Sequence, residues 1–253
     1  MRKLIFIFFF STVAVANIYA QQHNSMRVVL PSRDFASYSR FLHKFGFRTL
    51  DSLSDICRMT DGQVFTTLMR TDAPQPVFLA LFSDRINDIA NSLSWTKDVN
   101  VFRKDDSTIT EIDIKAPGGV MLFVHPLSQK THEPERTPNP KCGAFIEFST
   151  SVPNIDSAVI FWKLFGFDLT YKGNDPLPLA RVSDGEFSIG LHQDPYTEPG
   201  LQYGSEEAIK QIAAIRITGT EPITTMQNKK GDTVTASFQA PEGLIINMYR
   251  IHE

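Results

Sequence analysis

The chain has 253 residues, with 25 Lys and Arg against 28 Asp and Glu and a formal net charge of −3. Its basic residues are scattered rather than clustered, which argues against nucleic acid or an anionic membrane as the partner. The length suits two domains of ordinary size, and we expect the partner to be a small molecule or another protein.

The N-terminal residues have the pattern of a secretory signal peptide. Two basic residues precede an apolar stretch from Leu4 to Ala16, and small residues precede a polar segment. We predict that residues 1–20 are removed after Ala20, with a second cleavage site after Ala14-Val15-Ala16; an uncleaved anchor is the alternative. The mature chain would be secreted, in a bacterium into the periplasm, without stable membrane insertion.

The sequence contains few cysteines and few catalytic motifs. Cys57 and Cys142 are the only cysteines, one in each half of the chain. Sequence alone cannot place them within disulfide distance, so a disulfide and two buried free thiols both stay open. The sequence also has no glycine-rich phosphate loop, nucleophile elbow or HExxH motif.

Three stretches recur in the same order about 120 residues apart. RFLHKFGFRTL resembles IFWKLFGFDLT, MTDGQVFTTLM resembles VSDGEFSIGLH, and KAPGGVMLFVHP resembles QAPEGLIINMYR. The shift is 120 residues between Phe45 and Phe165 and 124 between Pro117 and Pro241. The sequence therefore predicts a tandem of two related domains.

Each repeat begins with a predicted strand and helix. In the first repeat RVVLPS starts at Arg27, and apolar residues at helical spacing predict a helix between Asp34 and Phe45. In the second repeat AFIEFST starts at Ala144, and the matching helix lies between Asn154 and Phe165. A glycine follows each helix and is expected to end it.

Three further strands are predicted in each repeat. They are FRTLDS, ICRMT and VFTTLMR in the first repeat, and FDLTYK, LARVS and FSIGLHQ in the second. An Asp-Gly pair supplies the hairpin turn before the last strand of each set. Each repeat thus starts with the order βαβββ.

A second βαβββ unit follows in each domain. In the first domain it comprises FLALFS, a weak helix from Arg85 to Leu93, VNVFRK, TITEIDIK and VMLFVHP. In the second domain we predict AAIRIT, from Ala213, as the fifth strand, followed by a short helix at about Ile223 to Asn228. The last strands of that domain are TVTASFQ and LIINMYR.

Paired βαβββ units, helices ending in Phe-Gly-Phe and a final Ala-Pro-x-Gly hairpin resemble the vicinal oxygen chelate superfamily, which includes glyoxalases, bleomycin-resistance proteins and extradiol dioxygenases. The resemblance implies an α+β fold of two tandem domains, each a half-open curved barrel with a site on its concave face. We place the first domain at residues 27–127, a Pro-rich linker at 128–140 and the second domain at 141–253. Because the fold hosts metalloenzymes and binding proteins alike, it does not decide the function.

Metal-binding members of that superfamily place His, Gln or Glu ligands on the first, fourth, fifth and eighth strands of a domain. The residues that we align with the first-, fourth- and eighth-strand positions are Arg27, Thr67 and Phe123, and then Phe145, Gly190 and Asn247. These side chains are poor ligands for a divalent cation, so we predict no metal cofactor in either domain. A residual site with Glu147, His192 and one more ligand is the alternative.

Period-two alternation predicts a polar interior for the second barrel. The predicted ligand-binding residues are Glu147, His192, Arg216, Asn247 and Tyr249. Such groups are costly to bury unless something pairs with them, so they could orient a small polar ligand, with His192 or Glu147 as a candidate proton carrier. Two purely structural alternatives are open: His192 is an interior residue whose hydrogen bonds are made within the protein, and Glu147 forms an ion pair with Arg216.

The first barrel has a more apolar predicted centre. Its inward residues are Arg27, Val29, Glu111, Asp113, Phe123 and His125. We therefore expect an exported protein that binds a small polar organic ligand in the second domain without a metal. One alternative is a metal-dependent enzyme with displaced ligands, which would be a glyoxalase-like lyase or isomerase, or a dioxygenase. The other alternative is a non-catalytic interaction module. The sequence also leaves open whether the protein forms a homodimer.

Overall fold

The computed structural model describes residues 24–73, 75–94, 98–129, 139–174 and 177–251. The predicted signal peptide and most of the predicted linker lie outside these residues. Within them, no helix is both long enough and apolar enough to span a bilayer.

The first domain is one eight-stranded sheet with two helices. Its strands are β1 (Asn24–Ser32), β2 (Arg48–Ser52), β3 (Ile56–Thr60), β4 (Phe65–Arg70), β5 (Phe78–Ser83), β6 (Val99–Arg103), β7 (Ile109–Lys115) and β8 (Met121–Pro126). Its helices are α1 (Phe35–Lys44) and α2 (Ile86–Ser92), and a 3-10 turn (Leu127–Gln129) follows the last strand.

The second domain repeats this arrangement. Its strands are β9 (Ala144–Ser151), β10 (Asp168–Gly173), β11 (Leu179–Ser183), β12 (Ser188–His192), β13 (Gly200–Ser205), β14 (Thr224–Gln227), β15 (Thr233–Gln239) and β16 (Ile245–Arg250). Its helices are α3 (Ile155–Leu164) and α4 (Ala208–Ile217).

Each sheet consists of two βαβββ units laid side by side. The strand orders are β2-β3-β4-β1-β5-β8-β7-β6 and β10-β11-β12-β9-β13-β16-β15-β14. The first strands of the two units are antiparallel neighbours, and each is parallel to the last strand of its own unit. Among the described residues, the outermost strands of each sheet (β2 and β6, and β10 and β14) pair with a neighbour on one side only. Neither sheet therefore closes into a full barrel. The predicted α+β fold of two tandem open barrels is confirmed.

The repeated Phe-Gly-Phe motif ends a helix. Helices α1 and α3 are capped by the residues that precede them, Asp34 and Asn154, whose side chains accept hydrogen bonds from backbone amides of the first turn at 3.0 and 2.8 Å. The chain leaves them at Gly46 and Gly166, with φ of +90° and +87°, a conformation that glycine adopts without strain. The phenylalanines on both sides of each glycine are buried in the core.

The second unit of the second domain differs from our prediction. Residues 213–217, predicted as a strand, belong to helix α4, which turns Ala208, Ile212 and Ile215 into the core at helical spacing. The fifth strand is β13 instead, and the residues predicted as a short helix contain the whole of the edge strand β14. Tertiary packing of the apolar face of α4 outweighs the strand preference of its β-branched residues.

Reciprocal contacts join the two domains. In the last hairpin of the second domain, Glu242 Oε1 accepts a hydrogen bond from the Arg33 amide at 2.8 Å. In the matching hairpin of the first domain, Gly118 lies so close to the Ser151 carbonyl that a Cβ would not fit, and its φ is +93°. The two cores merge, and the rings of Phe45 and Phe238 are 5.2 Å apart.

The two cysteines are buried and free. Cys142 lies at the domain junction, where its thiol donates to the carbonyl of Phe45 at 3.2 Å. Burial raises the pKa of the Cys142 thiol, so this group stays protonated.

Candidate functional site

A row of polar residues crosses the inner face of the second sheet, the face opposite the core residues. Glu147 on β9 pairs in register with Gln202 on β13, which pairs with Asn247 on β16, which pairs with Ser237 on β15. The neighbours of Asn247 along the chain are fully buried on the other face. The alternation therefore separates an apolar core from a polar inner face.

Glu147 is the centre of a charged cluster at one end of this row. Its Oε1 accepts from Nε2 of His192 at 2.7 Å, and its Oε2 accepts from Nε of Arg181 at 2.8 Å. The side chain of Glu147 is only 4% exposed, against 23% for His192 and 30% for Arg181. Burial alone would raise the pKa of Glu147, but the hydrogen bonds from His192 and Arg181 outweigh it and the pKa is lowered.

Gly190 provides the space for this carboxylate. Gly190 lies on β12 directly opposite Arg181 on β11, and a Cβ built at Gly190 would overlap the carboxylate of Glu147. Glu147 therefore lies over the bare backbone of β12, between His192 and Arg181. A side chain on residue 190 would displace it.

A cavity of about 300 Å³ opens beside His192. Polar side chains dominate its wall, among them His192, Gln202, Thr224, Ser237, Asn247 and, at the exposed rim, Glu198. Gln202 also donates through Nε2 to the Ser149 hydroxyl at 3.1 Å, which fixes the orientation of its amide. The wall offers hydrogen-bond donors and acceptors but little fixed charge.

The structure separates the five predicted site residues. His192 and Asn247 line the cavity, whereas Glu147 lies behind His192 and Arg181. Tyr249 shares the inner face but is not part of the cavity wall; burial, and next the charge of Glu147, raises the pKa of its phenol. Tyr249 is therefore a neighbour of the charged cluster rather than a wall of the cavity.

The prediction for Arg216 is wrong. Arg216 lies on the last turn of α4 and not on a strand, and its Nε pairs with Glu221 at 3.0 Å on the surface. Since α4 packs on the core side of β15 and β16, Arg216 does not face the cavity. The alternative of an ion pair between Glu147 and Arg216 does not hold either, because Glu147 pairs with Arg181 and Arg216 pairs with Glu221.

Phe145 does not face inward either. Ile146 is an extra residue in β9, opposite a register shift between Gln202 and Tyr203. This bulge turns Phe145 towards the core, where it packs against Tyr203 with ring centroids 5.9 Å apart. The residue of the second domain that corresponds to Arg27 is therefore Glu147, at the same 120-residue shift as the Phe-Gly-Phe motif.

The residues at the metal-ligand positions that the sequence resemblance implies do not fit a divalent cation. Glu147, Gln202 and Asn247 lie on the first, fifth and eighth strands, but both oxygens of the single carboxylate are held by other groups, and Arg181 is a fixed positive charge. The two other side chains are neutral amides, which are weak ligands for transition metals. Among the residues that the structure describes, no group of three His, Cys, Asp or Glu side chains could hold a metal ion.

Sequence reasoning missed Arg181 and Gln202. Arg181 stands between Ala180 and Val182 in a short apolar strand, and a lone Arg at such a place signals a buried partner. Gln202 was missed because the segment GLQYGS, with two glycines, has a weak strand signal.

Comparison with known proteins supports the fold. No family model matches the chain, and no curated protein matches it. Three similar solved structures are a catechol 2,3-dioxygenase (TM-score 0.59, 10% identity, 90% of this chain and 87% of that one), the Mn(II)-bound glyoxalase from Novosphingobium aromaticivorans (0.60, 14%, 88% and 80%) and the 2,3-dioxygenase LapB from Pseudomonas sp. KL28 (0.61, 11%, 90% and 91%). At these identities the likeness shows the fold alone. The chain has the same fold as these two dioxygenases and this glyoxalase.

Proposed function

We propose that this chain is an exported protein that binds a small polar organic ligand in the cavity of its second domain, without an obligatory metal. The observation that carries the proposal is the polar cavity beside His192, whose imidazole is anchored by a buried carboxylate. The proposal that the protein is exported rests on the signal-peptide pattern of residues 1–20, which lie outside the described residues.

The ligand that suits the cavity is uncharged and rich in hydroxyl or carbonyl groups. The charge of Glu147 is already balanced by Arg181, so the charged cluster does not call for a counterion from the ligand. The amides of Gln202 and Asn247 can each donate and accept, as can the hydroxyl of Ser237. These groups match the donors and acceptors of a neutral polar molecule.

His192 is the group that could move a proton in this cavity. A carboxylate at Nε2 favours the tautomer with the proton on that nitrogen, which leaves Nδ1 as an acceptor. Nδ1 makes no hydrogen bond within the described part of the chain. Glu147 would then be a positioning residue, and His192 would take a proton from a bound ligand that carries an acidic C–H or O–H group.

A metal-dependent enzyme is the second candidate. Its support is that the similar structures include a Mn(II)-bound glyoxalase and two 2,3-dioxygenases. It would require Glu147 to release Arg181 and His192 in exchange for a cation. That exchange is unfavourable while both hydrogen bonds are intact.

Saturation-transfer NMR on the mature protein tests the proposal, with glycerol, erythritol and lactamide as neutral polar probes. We expect saturation transfer to at least one probe, reduced about fivefold in Gln202→Leu and in Asn247→Leu because each loses about one hydrogen bond. Gln193→Leu is the matched control, since Gln193 is exposed and outside the cavity wall. Transfer to none of the probes, or transfer unaffected by the two cavity variants, would contradict the proposal.

A further inference from the structure

A row of neutral hydrogen-bonding side chains crosses the second-domain cavity from strand to strand. Gln202 on β13 pairs in register with Asn247 on β16, Asn247 pairs with Ser237 on β15, and Ser237 pairs with Thr224 on the edge strand β14. All four residues line the cavity. Because neighbouring strands lie about 4.8 Å apart, the row presents one polar group at each strand over about 14 Å.

Most of this row is free to bind a ligand. Within the described part of the chain, the side chains of Asn247, Ser237 and Thr224 make no hydrogen bond, and none of their polar atoms is both buried and unpaired. The Gln202 amide is fixed through Nε2 by the Ser149 hydroxyl and keeps its Oε1 as an acceptor. The row therefore offers a ligand both donors and acceptors that the described residues leave uncommitted.

An apolar edge adjoins the row at one end of the cavity. Ile245 lies two residues before Asn247 on β16, Ile223 directly precedes β14, and Tyr196 lies in the loop that leads to β13. All three line the cavity. Since β13, β14 and β16 run in the same direction, these residues lie at the same end of the row.

Two residues of this edge are highly exposed. Tyr196 is 88% exposed and Ile223 is 56% exposed. Asp194 holds the turn that carries Tyr196, because its Oδ1 accepts from the Tyr196 amide at 3.0 Å and its Oδ2 accepts from the Thr197 hydroxyl at 3.2 Å. Exposed apolar groups that adjoin a concave polar surface indicate a binding site. A turn that is already fixed loses little further entropy when a ligand binds to it.

The charge of the wall selects against anions. Among the described residues of the wall, Glu198 is the one carboxylate, and no Lys or Arg is present. Glu198 is exposed at the rim. It would repel an anionic ligand and would not repel a neutral one. The wall therefore suits a neutral ligand that has hydroxyl groups along one side and an apolar surface on the other.

We propose that the ligand class of this cavity is a neutral saccharide. The hydroxyl groups of its terminal ring would bind to the row from Gln202 to Thr224, and a C–H face of the ring would pack on Tyr196. A pyranose ring carries hydroxyl groups around its edge, each of them a donor and an acceptor, and C–H groups on its faces, which pack on aromatic rings. This inference rests on the function proposed above and narrows its ligand class.

Saturation-transfer NMR on the mature protein tests this class, with the methyl β-glycosides of glucose, galactose and mannose as separate probes. Sorbitol is the acyclic reference, because it has the hydroxyl groups of a sugar but no preformed apolar face. We expect saturation transfer to at least one glycoside, strongest at the C–H protons of one ring face. Sorbitol should bind about fivefold more weakly, since it loses more conformational entropy on binding.

Variants at the apolar edge and the rim test the two parts of the wall. Tyr196→Ala should weaken the glycoside about fivefold, and Tyr196→Phe, which keeps the ring, should weaken it less. Phe102→Ala is the matched control, since Phe102 is 47% exposed on β6 of the first domain and its loss should leave binding as in the wild type. The uronate of the preferred sugar should bind about fivefold more weakly than the neutral sugar, and Glu198→Gln should reduce this difference.

The outcomes separate this inference from the function on which it rests. Transfer to glycerol, erythritol or lactamide but to none of the glycosides would overturn the saccharide class and leave the proposed function standing. Transfer to no probe of either set would overturn both. Equal binding of sorbitol and the glycosides, or equal effects of Tyr196→Ala and Phe102→Ala, would also overturn the saccharide class. The map of saturated protons is measured on the wild type, so it holds even if a variant folds poorly.

Discussion

The phenol of Tyr203 in the second domain donates a 2.6 Å hydrogen bond to Oδ2 of Asp61 in the first domain. Both side chains are buried, and Oδ1 of Asp61 accepts from the amides of Gln63 and Val64. Burial, and next the charge of Asp61, raises the pKa of Tyr203, so its hydroxyl stays a donor. The two domains therefore share a buried polar contact within a mostly apolar junction.

Tyr203→Phe should lower the free energy of unfolding by about 2 kcal/mol, because a buried carboxylate loses a charged-group hydrogen bond. Denaturant unfolding followed by tryptophan fluorescence measures this difference. Tyr196→Phe is the matched control, since Tyr196 is 88% exposed and the change should stay within about 0.5 kcal/mol. Equal stability of the two variants would show that the contact does not stabilise the junction.

Glu147→Gln should lower the free energy of unfolding by about 2 kcal/mol near neutral pH, since Arg181 loses its counterion and His192 loses a charged acceptor, although both side chains keep some access to water. The pKa of Glu147 in the folded protein lies below its ordinary value of 4.5. Its contribution is therefore present above about pH 4.5 and is lost as the pH falls through the lower folded pKa.

Denaturant unfolding of wild type and Glu147→Gln at several pH values between about 7 and 3 checks this dependence. The difference in stability should be largest near neutral pH and should shrink on acidification. A difference that grows as the pH falls would mean that Glu147 is not held as a carboxylate in the folded protein.

Gly190→Ala should disrupt the charged cluster, because the new methyl group would overlap the carboxylate of Glu147. The backbone at Gly190 has no positive φ, so the cost comes from this overlap and not from backbone strain. We expect a loss of about 1–3 kcal/mol in the wild type and a much smaller loss in a Glu147→Ala background, where the methyl group has room. Equal losses in both backgrounds would contradict the contact.

The tautomer of His192 should depend on Glu147. Nitrogen-15 NMR of the imidazole at mildly alkaline pH should show the proton on Nε2 in the wild type and a mixture of tautomers in Glu147→Gln. His43 is an internal reference, since its Nδ1 bonds to the carbonyl of Phe47 at 2.8 Å and should keep its proton in both proteins. An unchanged His192 spectrum in Glu147→Gln would show that Glu147 does not fix the tautomer of His192.

Much of the fold could be predicted because the repeat is long and locally consistent. Phe45-Gly46-Phe47 and its copy are helix ends with buried aromatic residues, a pattern visible in the sequence. The error in the second domain arose where local propensity and tertiary packing disagree. The spacing of Ala208, Ile212 and Ile215 was the readable sign of a helix, and it was outweighed by the β-branched residues of AAIRIT.

The positions of the candidate site residues were predicted only in part, for two physical reasons. Alternation along a strand gives the face on which a residue lies but not the partner that its side chain reaches. Arg216 was therefore predicted beside Glu147, whereas the structure has Arg181 there. A single bulge at Ile146 also reverses the face of Phe145, and no feature of the local sequence marks it. The inner face was predicted correctly for His192 and Asn247 because their strands are regular, whereas a binding role for them stays a prediction.

Metal analysis of the mature protein, residues 21–253, tests most directly whether the charged cluster of Glu147, Arg181 and His192 is a metal-free polar site or a metal centre. The protein would be purified without chelator or affinity-column metal and analysed again after separate additions of Mn²⁺, Fe²⁺, Ni²⁺ and Zn²⁺. We predict no stoichiometric cation under any of these conditions, because Arg181 and His192 already satisfy the only carboxylate of the cluster. One tightly held cation per chain that is lost in His192→Ala would contradict this account and favour a metalloenzyme.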